Sequence, residues 1–561
     1  MQSCLPSVVD AIGPEGVLVA GTPAGMVVVR AAGLQVHGGT VTAGNAVPRA
    51  GELAVFCRPV VTAPVLKRRD GRMVADGWLP DLVRLGELER HLGDGVIEAI
   101  VDAELGKGRL RPRERRRLMS YPLVIRLMIA TGLMPEASCR EALARLAGLL
   151  ADVPFALEWH VPTGKVITGW RLLIPADVME GIFWHAAGPL ISGDEPSAVL
   201  LAGMMVLAAD GMLVNLADTP ANRAMFGSTG TADDSAPFPQ LRVVALTARA
   251  GRAMLGAILG SSSTGEQTLL KRLVKRRPAL FAGRVICFDR NFPGYDLIMA
   301  ILDAGGHVIA RMKEGISLDC EDGPARGWLP DGSRMSWLNA PSRRKEDRLP
   351  VRVTEHNAIL PSGDGTEEVS QTCTVITTLL DHRAAPADAV RETYLTRWSA
   401  SETTFGEDKT TITGAGNRTS GPVLRSGSPR LVIQEAWAWL TATQLVRACA
   451  AAALRSEHAA ARALRRNDAA PVTADEESFT AVLRHTIRSM TSTQVTASSS
   501  LDAIAAAAAA ARAALHTLNV PGRQRHSNRG QKARPNFPHA TATKTTVTGK
   551  PRVTVFAPGF S

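Results

Sequence analysis

Apolar residues recur in the middle of the chain as short continuous runs separated by amphipathic stretches. Residues 198–209 form one such run, which ends in an Asp-Gly pair at Asp210, and a shorter run follows at Leu213–Leu216. Because Asp-Gly between two apolar runs is a strong hairpin signal, the pattern predicts a turn at Asp210. Arg284–Phe288 is predicted as another buried strand, and Asp289 comes directly after it.

The neighbouring patterns complete an α/β arrangement. The predicted strands are Val243–Leu246, His307–Met312 and Thr372–Leu380, and the predicted helices are Thr264–Lys275, Pro293–Leu302, Ala387–Arg397 and Pro429–Cys449. Asp210 and Asp289 therefore stand at or just past the ends of core strands. An α/β sheet exposes functional side chains at that edge, so both are candidate site residues. For Asp210 alone, a plain turn residue is the simpler interpretation.

Changes of composition predict six parts of the chain. Residues 1–72 are an atypical N-terminal extension, 73–190 a helical DNA-binding domain, 191–312 and 372–500 the two parts of a catalytic core, 313–371 a β-rich insertion, and 501–561 an Ala-rich helix with a basic tail. The extension is rich in Gly, Val, Ala and Pro, and we expect it to be untranslated or disordered. The tail has the composition of a disordered basic arm.

The charge of the chain suits a polyanionic partner. Its 561 residues carry a formal net charge of +11, which favours DNA among other acidic surfaces. Cationic residues cluster from Lys107 to Arg117, in the Arg343–Arg352 segment of the insertion, and in the tail. The residues expected to contact DNA are Arg113, Arg115, Arg116, Arg117, Arg343 and Arg344. A helical hairpin with a merely solvated basic face explains the first cluster equally well.

Several functional classes lack support in the sequence. The seven Cys residues are scattered without a C-x-x-C pair, which argues against a disulfide framework or a structural zinc site. No uncharged apolar run reaches transmembrane length, and the N-terminus lacks the features of a signal peptide. Neither a P-loop nor G-x-G-x-x-G is present, so a nucleotide cofactor is unsupported. A cytoplasmic, nucleoid-associated protein is the simplest expectation.

Three acidic residues can be proposed for one site: Asp210, Asp289 and Glu402. Carboxylate oxygens suit Mg²⁺ or Mn²⁺, and two such ions can promote phosphodiester cleavage. Glu402 and Lys409 are seven residues apart, which places them on one face of a helix and would let them serve a metal and a phosphate. On this stretch alone, a solvated helix with an ordinary Glu–Lys pair remains the alternative.

Four segments resemble DDE transposases of bacterial insertion sequences, specifically the insertion-element-four family. They are ADGMLVNLADTPANRAMFG from Ala209, VICFDRNFPGYDL from Val285, YLTRWSASETTFGEDK from Tyr394 and LRSGSPRLVIQEAWAWL from Leu424. The first two resemble the family's two Asp motifs, and the third resembles its signature around the catalytic Glu. The resemblance extends from roughly residue 82 to residue 479.

The resemblance implies a ribonuclease-H-like catalytic core, a β-strand insertion between the second Asp and the Glu, and an N-terminal helical domain. It implies that Asp210, Asp289 and Glu402 hold two ions, and that Lys409, Arg397 and Tyr394 bind phosphate. The implied activity is metal-dependent cleavage and strand transfer at the ends of the protein's own element, with a homodimer on element ends and target DNA. A nuclease without strand transfer and an inactive DNA-binding remnant are the alternatives.

One spacing departs from the family signature. Arg397 and Glu402 are separated by four residues where the signature has three, which rotates Arg397 by about 140° from Glu402 on a helix. Either the helix contains a π-bulge or starts late, or Arg397 does not fill the family's role. The phosphate-binding role of Tyr394 depends on the same spacing.

Overall fold

A computed structural model describes residues 95–106, 119–148, 161–187, 200–229, 238–248, 252–312, 327–342, 347–361, 368–395 and 424–463, with short stretches and single residues elsewhere. Within residues 1–75 it describes three hairpins, each a two-stranded sheet of its own. Their strands are β1 (Val17–Thr22), β2 (Gly25–Arg30), β3 (Leu34–His37), β4 (Thr40–Ala43), β5 (Leu66–Arg69) and β6 (Arg72–Ala75). The expectation that this extension lies outside the working protein stays a prediction.

Helices dominate the next part of the chain. They are α1 (Val96–Gly106), α2 (Tyr121–Leu133), α3 (Cys139–Gly148), α4 (Gly164–Arg171) and α5 (Ala176–Ala187). Two begin at serine caps: Ser120 Oγ accepts the N–H of Leu123 at 3.3 Å, and Ser138 Oγ accepts the N–H of Glu141 at 3.1 Å. These caps satisfy N–H groups that have no partner within the helix.

A sheet with helices follows the helical part. Its first half comprises β7 (Leu200–Leu201), β8 (Met204–Asn215), α6 (Pro220–Phe226), β9 (Gln240–Ala248), β10 (Met254–Ser261), α7 (Glu266–Arg276), β11 (Arg284–Phe288), α8 (Tyr295–Asp303) and β12 (His307–Arg311). The predicted strands and helices of this region are confirmed, with shifted ends; β10 is additional. β8 pairs in parallel with β11, and β11 in parallel with β12, whereas β9 is antiparallel to both β8 and β10.

The predicted β-rich insertion continues the same sheet. It comprises β13 (Asp319–Cys320), β14 (Arg334–Leu338) and β15 (Leu349–Pro361), and β16 (Glu368–Thr377) returns to pair with β12. The sheet order is β10-β9-β8-β11-β12-β16-β15-β14-β13. Because every step from β12 onward is antiparallel, hairpin connections suffice to build this half.

Two helices follow the sheet, and the tail contributes short strands. α9 occupies residues 387–395, and α10 is Pro429–Ala463. The tail contains β17 (His526–Ser527), β18 (Thr546–Val547) and β19 (Arg552–Val555). β19 pairs with β15 at the sheet edge, where the sequence predicted no regular structure; most of the tail lies outside the described residues. None of the described helices has the length and apolarity that crossing a bilayer requires.

Helices cover both faces of the sheet. On one face, α7 and α8 pack on β8, β9 and β11 through residues such as Leu269 and Leu297. On the other face, α10 and the N-terminal helices share one core with β8, β9 and β10. Gly132 of α2 allows a close crossing with α10, since a Cβ there would lie 3.0 Å from the Cα of Trp439. The helices of 73–190 are therefore built into the same core as α10.

Candidate active site

Asp210 lies within a strand and not in a turn. β8 runs unbroken through it, and Asp210 pairs with Ala245 of β9. The predicted hairpin at Asp210 is therefore wrong, as is a separate strand at Leu213–Leu216, because the long partner β9 keeps β8 extended on both sides. The tight turn comes before β8, where Ala202 and Gly203 have φ of 49° and 74°. A two-residue hairpin loop requires this left-handed pair.

Asp289 follows the last residue of β11, as predicted. Phe288 pairs with Ala209 across the parallel strands β11 and β8. Asp289 and Asp210 come next on each chain, at a point where β11 ends and β8 continues. Paired strands lie roughly 4.8 Å apart, so the two aspartates are neighbours at this edge. Asp289 Oδ1 accepts the backbone N–H of Asn291 at 2.8 Å, which orients its carboxylate.

The alternation of side chains places both aspartates on one face of the sheet. They share the parity of Val206 in β8 and Cys287 in β11, which pack with Tyr394 of α9 in one buried cluster. α9 therefore covers the face from which Asp210 projects. Both aspartates are partly exposed, so solvent and a ligand can reach them.

A third carboxylate lies beside the pair. Glu266 begins α7 and approaches Gly211 so closely that a Cβ there would lie 2.4 Å from Glu266 Oε1. Arg242 of β9 donates from Nη1 to the same oxygen at 2.7 Å. Burial raises the pKa of the Glu266 carboxyl, the charge of Arg242 opposes this shift, and the charges of Asp210 and Asp289 add to it. Glu266 therefore lies within the electric field of both aspartates.

Sequence reasoning missed Glu266 because an acidic residue in the first turn of a helix is ordinary. The one available signal was the glycine after Asp210, which leaves space for a neighbouring side chain. The next residue of α7 contacts the second aspartate motif: Gln267 Nε2 donates to the carbonyl oxygen of Asn291 at 3.0 Å. The start of α7 thus contacts both strands that carry the candidate aspartates.

Several predicted site residues lie outside the part of the chain that the structure describes. They are Glu402, Lys409, Arg397, Arg113, Arg115, Arg116, Arg117 and Arg343, and their roles stay predictions. Tyr394 is described and is only 3% exposed, packed beneath β8 and β11. Its phosphate contact also stays a prediction. Arg344 is exposed, as a DNA contact requires.

Arg352 corrects one expectation about the cationic segment of the insertion. Its side chain is fully buried, so the prediction that it faces DNA is wrong. β15 lies between β14 and β16, and the Arg352 side chain points into the protein, where Nη1 donates to Asp331 Oδ2 at 3.1 Å. The periodicity of a cationic segment cannot distinguish a buried, paired arginine from an exposed one.

The donor set at this edge consists of carboxylate oxygens, which Mg²⁺ and Mn²⁺ prefer. Within the described ranges, no group of three or more His, Cys, Asp or Glu side chains is arranged to hold a metal ion. Asp210 and Asp289 supply two ligands on one face, and a further carboxylate such as Glu402 is required to complete a site of this kind. The described residues therefore fit part of such a site.

Comparisons with known proteins support one relationship. No protein-family model matches the chain. A solved structure of the piggyBac transposase synaptic complex with hairpin DNA overlaps 81% of this chain and 87% of that one at 9% identity, with a TM-score of 0.36, which carries no argument. The transposase InsG for insertion sequence element IS4 of Escherichia coli strain K12 is 25% identical over 337 residues, 59% of this chain and 70% of that protein. By sequence, the chain is related to transposases of the IS4-like kind.

Proposed function

We propose that the protein is a DDE-type DNA transposase that cuts and joins DNA at the ends of its own insertion element. The observation that carries the proposal is the register of β8 and β11, which makes Asp210 and Asp289 neighbours. Both residues belong to segments that resemble the family's Asp motifs. The related transposase of Escherichia coli supports DNA transposition as the process in which they act.

We infer a ribonuclease-H-like core from the first half of the sheet. Three antiparallel strands, β10, β9 and β8, lie beside two parallel ones, β11 and β12. The first aspartate is on β8, at the centre of this arrangement, and the second follows β11. The insertion lies between the second aspartate and Glu402 in the chain, which agrees with the family's order of elements.

Asp210, Asp289 and Glu402 are the residues proposed to hold two Mg²⁺ or Mn²⁺ ions. Bound there, such ions supply positive charge that favours attack on a phosphodiester and stabilises the leaving oxygen. The chain's own residues hold and orient the DNA: Lys409 binds phosphate, and Arg397 does so if its helix corrects the extra residue. Asn291 keeps the Asp289 carboxylate turned toward its neighbour.

Basic surfaces extend the proposed interface beyond the aspartates. The cationic run at residues 107–117, exposed Arg344 and the basic tail are proposed to contact the phosphates of element ends and target DNA. Cutting two ends in one reaction calls for two copies of the chain on the DNA, so a homodimer in the complex is part of the proposal. Cross-linking of the protein with and without end DNA tests that part.

A gel assay tests the central proposal. Labelled duplexes from the DNA that flanks the coding sequence are incubated with the full chain and Mg²⁺. Joined products support a transposase; cleavage without joining indicates a nuclease, and a mobility shift alone indicates a DNA-binding remnant. Asp210→Asn and Asp289→Asn should abolish cutting while duplex binding survives. Asp218→Asn is the matched control, because Asp218 is exposed and pairs with Arg223 at 2.5 Å.

A further inference from the structure

A buried ion pair lies where the insertion meets the start of α9. Arg352 donates from Nη1 to Asp331 Oδ2 at 3.1 Å and from Nη2 to the carbonyl oxygen of Ala385. The same Asp331 oxygen accepts the backbone N–H of Ala387, where α9 begins, at 2.8 Å. Ser333 occupies the other oxygen of Asp331 through its hydroxyl and its N–H. The pair therefore binds two backbone groups at the entrance to α9.

Stability alone does not call for such a pair. Burial lowers the pKa of Arg352, and the charge of Asp331 opposes that shift. A buried guanidinium is costly to desolvate, and apolar side chains of similar volume are often at least as stable. Apolar side chains, however, cannot hold the carbonyl of Ala385 and the N–H of Ala387 in fixed directions. The distinctive contribution of the pair is therefore directional.

The position of α9 matters to the candidate site. Near its end, Tyr394 packs beneath the strands that carry Asp210 and Asp289. The helix ends at residue 395, and Glu402 comes seven residues later in the chain. Because a helix of nine residues is a rigid element about 13 Å long, a shift at its first turn is carried to Tyr394 and the chain that follows.

We propose that Arg352 and Asp331 are positioning residues for DNA cleavage, which fix the start of α9 so that the following chain brings Glu402 to Asp210 and Asp289. The inference rests on the proposed function, since it assumes that these three carboxylates act together. It also gives the insertion a role inside the core: β15 supplies Arg352 to the interior while Arg344, in the same insertion, is exposed.

The test uses the full chain, Mn²⁺ as the metal probe and the flanking-DNA duplexes as substrate. Asp331→Asn removes the charge that holds Arg352, and a displacement of Glu402 should slow cleavage on the order of 100-fold. DNA affinity should not change, and Mn²⁺ affinity should fall. In a Glu402→Gln background, Asp331→Asn should lower Mn²⁺ affinity no further, because both changes act through one carboxylate.

A second variant separates positioning from folding. Arg352→Met combined with Asp331→Leu replaces the pair with apolar side chains, so the fold should be kept while the attachments to Ala385 and Ala387 are removed. Slow cleavage in this folded variant supports the inference and stays informative even if Asp331→Asn does not fold. Near-normal cleavage and Mn²⁺ affinity in the double variant would overturn it.

Two further outcomes have distinct meanings. Effects of Asp331→Asn and Glu402→Gln on Mn²⁺ affinity that simply add would show a general structural role and overturn the inference alone. Failure of the proposed function has its own signature: Asp210→Asn would then match the wild-type chain in both cleavage and Mn²⁺ binding. That result would overturn the inference as well.

Discussion

Asp210 and Asp289 occupy consecutive register positions on two parallel strands, but only one of them lies inside a strand. Ala209 pairs with Phe288, and after that pair β11 leaves the sheet while β8 continues against β9. Asp210 is therefore held by antiparallel pairing, and Asp289 sits at the start of a loop. A rigid carboxylate beside a more adaptable one can accommodate a metal–phosphate group that changes during reaction.

Gly211 should be sensitive to the smallest possible substitution. In Gly211→Ala the new methyl group meets the Glu266 carboxylate, which must then leave Arg242. We expect a loss of about 1–3 kcal/mol in the free energy of unfolding, typical of overpacking. Chemical denaturation measures it. Gly169→Ala on α4 is the control, because no atom lies within 4 Å of its Cβ and alanine favours a helix.

A double-mutant cycle checks the cause. If the clash with Glu266 is responsible, Gly211→Ala should cost much less in a Glu266→Ala background than alone. Equal costs in the two backgrounds would show that the β8 backbone itself rejects a side chain at this position, and the contact with Glu266 would then explain nothing.

Glu266 should destabilise the fold at neutral pH. Its folded-state pKa is raised above the ordinary 4.5, so the folded chain holds this proton more tightly than the unfolded chain does. Stability from this group is consequently lost as the pH rises from that ordinary value through the raised one. Glu266→Gln should therefore have a higher melting temperature than wild type at neutral pH, and the difference should shrink below pH 4.5.

A matched glutamate controls for loss of charge. Glu141 pairs with Arg145 at 2.7 Å on the surface of α3, where its side chain is 50% exposed. Because exposed pairs contribute about 0–1 kcal/mol, Glu141→Gln should change the melting temperature little. A Glu266→Gln variant that melts below wild type at neutral pH would show that the bond to Arg242 outweighs burial and repulsion.

Local patterns predicted much of the fold because they depend on neighbouring residues. The apolar run before Asp289 predicted β11 to the residue, and serine at position 138 predicted the start of α3. The turn at Asp210 failed since Asp-Gly is a local signal, whereas the strand is fixed by pairing with β9, about thirty residues away in sequence. Pairing between distant segments overrides a local turn preference.

The candidate site was predicted less completely than the fold. Asp210 and Asp289 stand out because each adjoins an apolar run, but their shared register depends on how two strands pair. Glu266 reaches the pair through the packing of α7 on the sheet, which no spacing in the sequence reveals. Arg352 shows the same limit from the other side, since a partner 21 residues away keeps it buried.

Two arginines of the insertion should behave in opposite ways. Arg344 is exposed, so Arg344→Gln should weaken DNA binding and flatten the plot of log affinity against log salt by roughly 0.9. Arg352 is buried beside Asp331, so Arg352→Gln should leave the slope unchanged and cost about 3–5 kcal/mol of stability. Salt titrations of DNA binding and denaturation curves measure the two effects. A changed slope in Arg352→Gln would contradict the assignment.

The cationic run before α2 should bind the DNA backbone. Arg115, Arg116 and Arg117 are consecutive, and cations that contact phosphate release counterions. Replacing all three with Gln should weaken binding to unrelated duplexes by similar factors, because phosphate contacts carry no sequence information. The salt slope should fall by roughly 0.9 for each arginine that no longer neutralises a phosphate.

The control for these three arginines must remove the same charge elsewhere. Arg140, Lys165 and Lys275 are exposed on helices α3, α4 and α7, and their joint replacement with Gln lowers the net charge equally. Long-range attraction alone would make the two triple variants bind alike, since it depends on net charge and not on contact. Direct contact predicts a smaller slope only when Arg115, Arg116 and Arg117 are replaced. An unchanged affinity and slope in that variant would mean that the run is merely solvated.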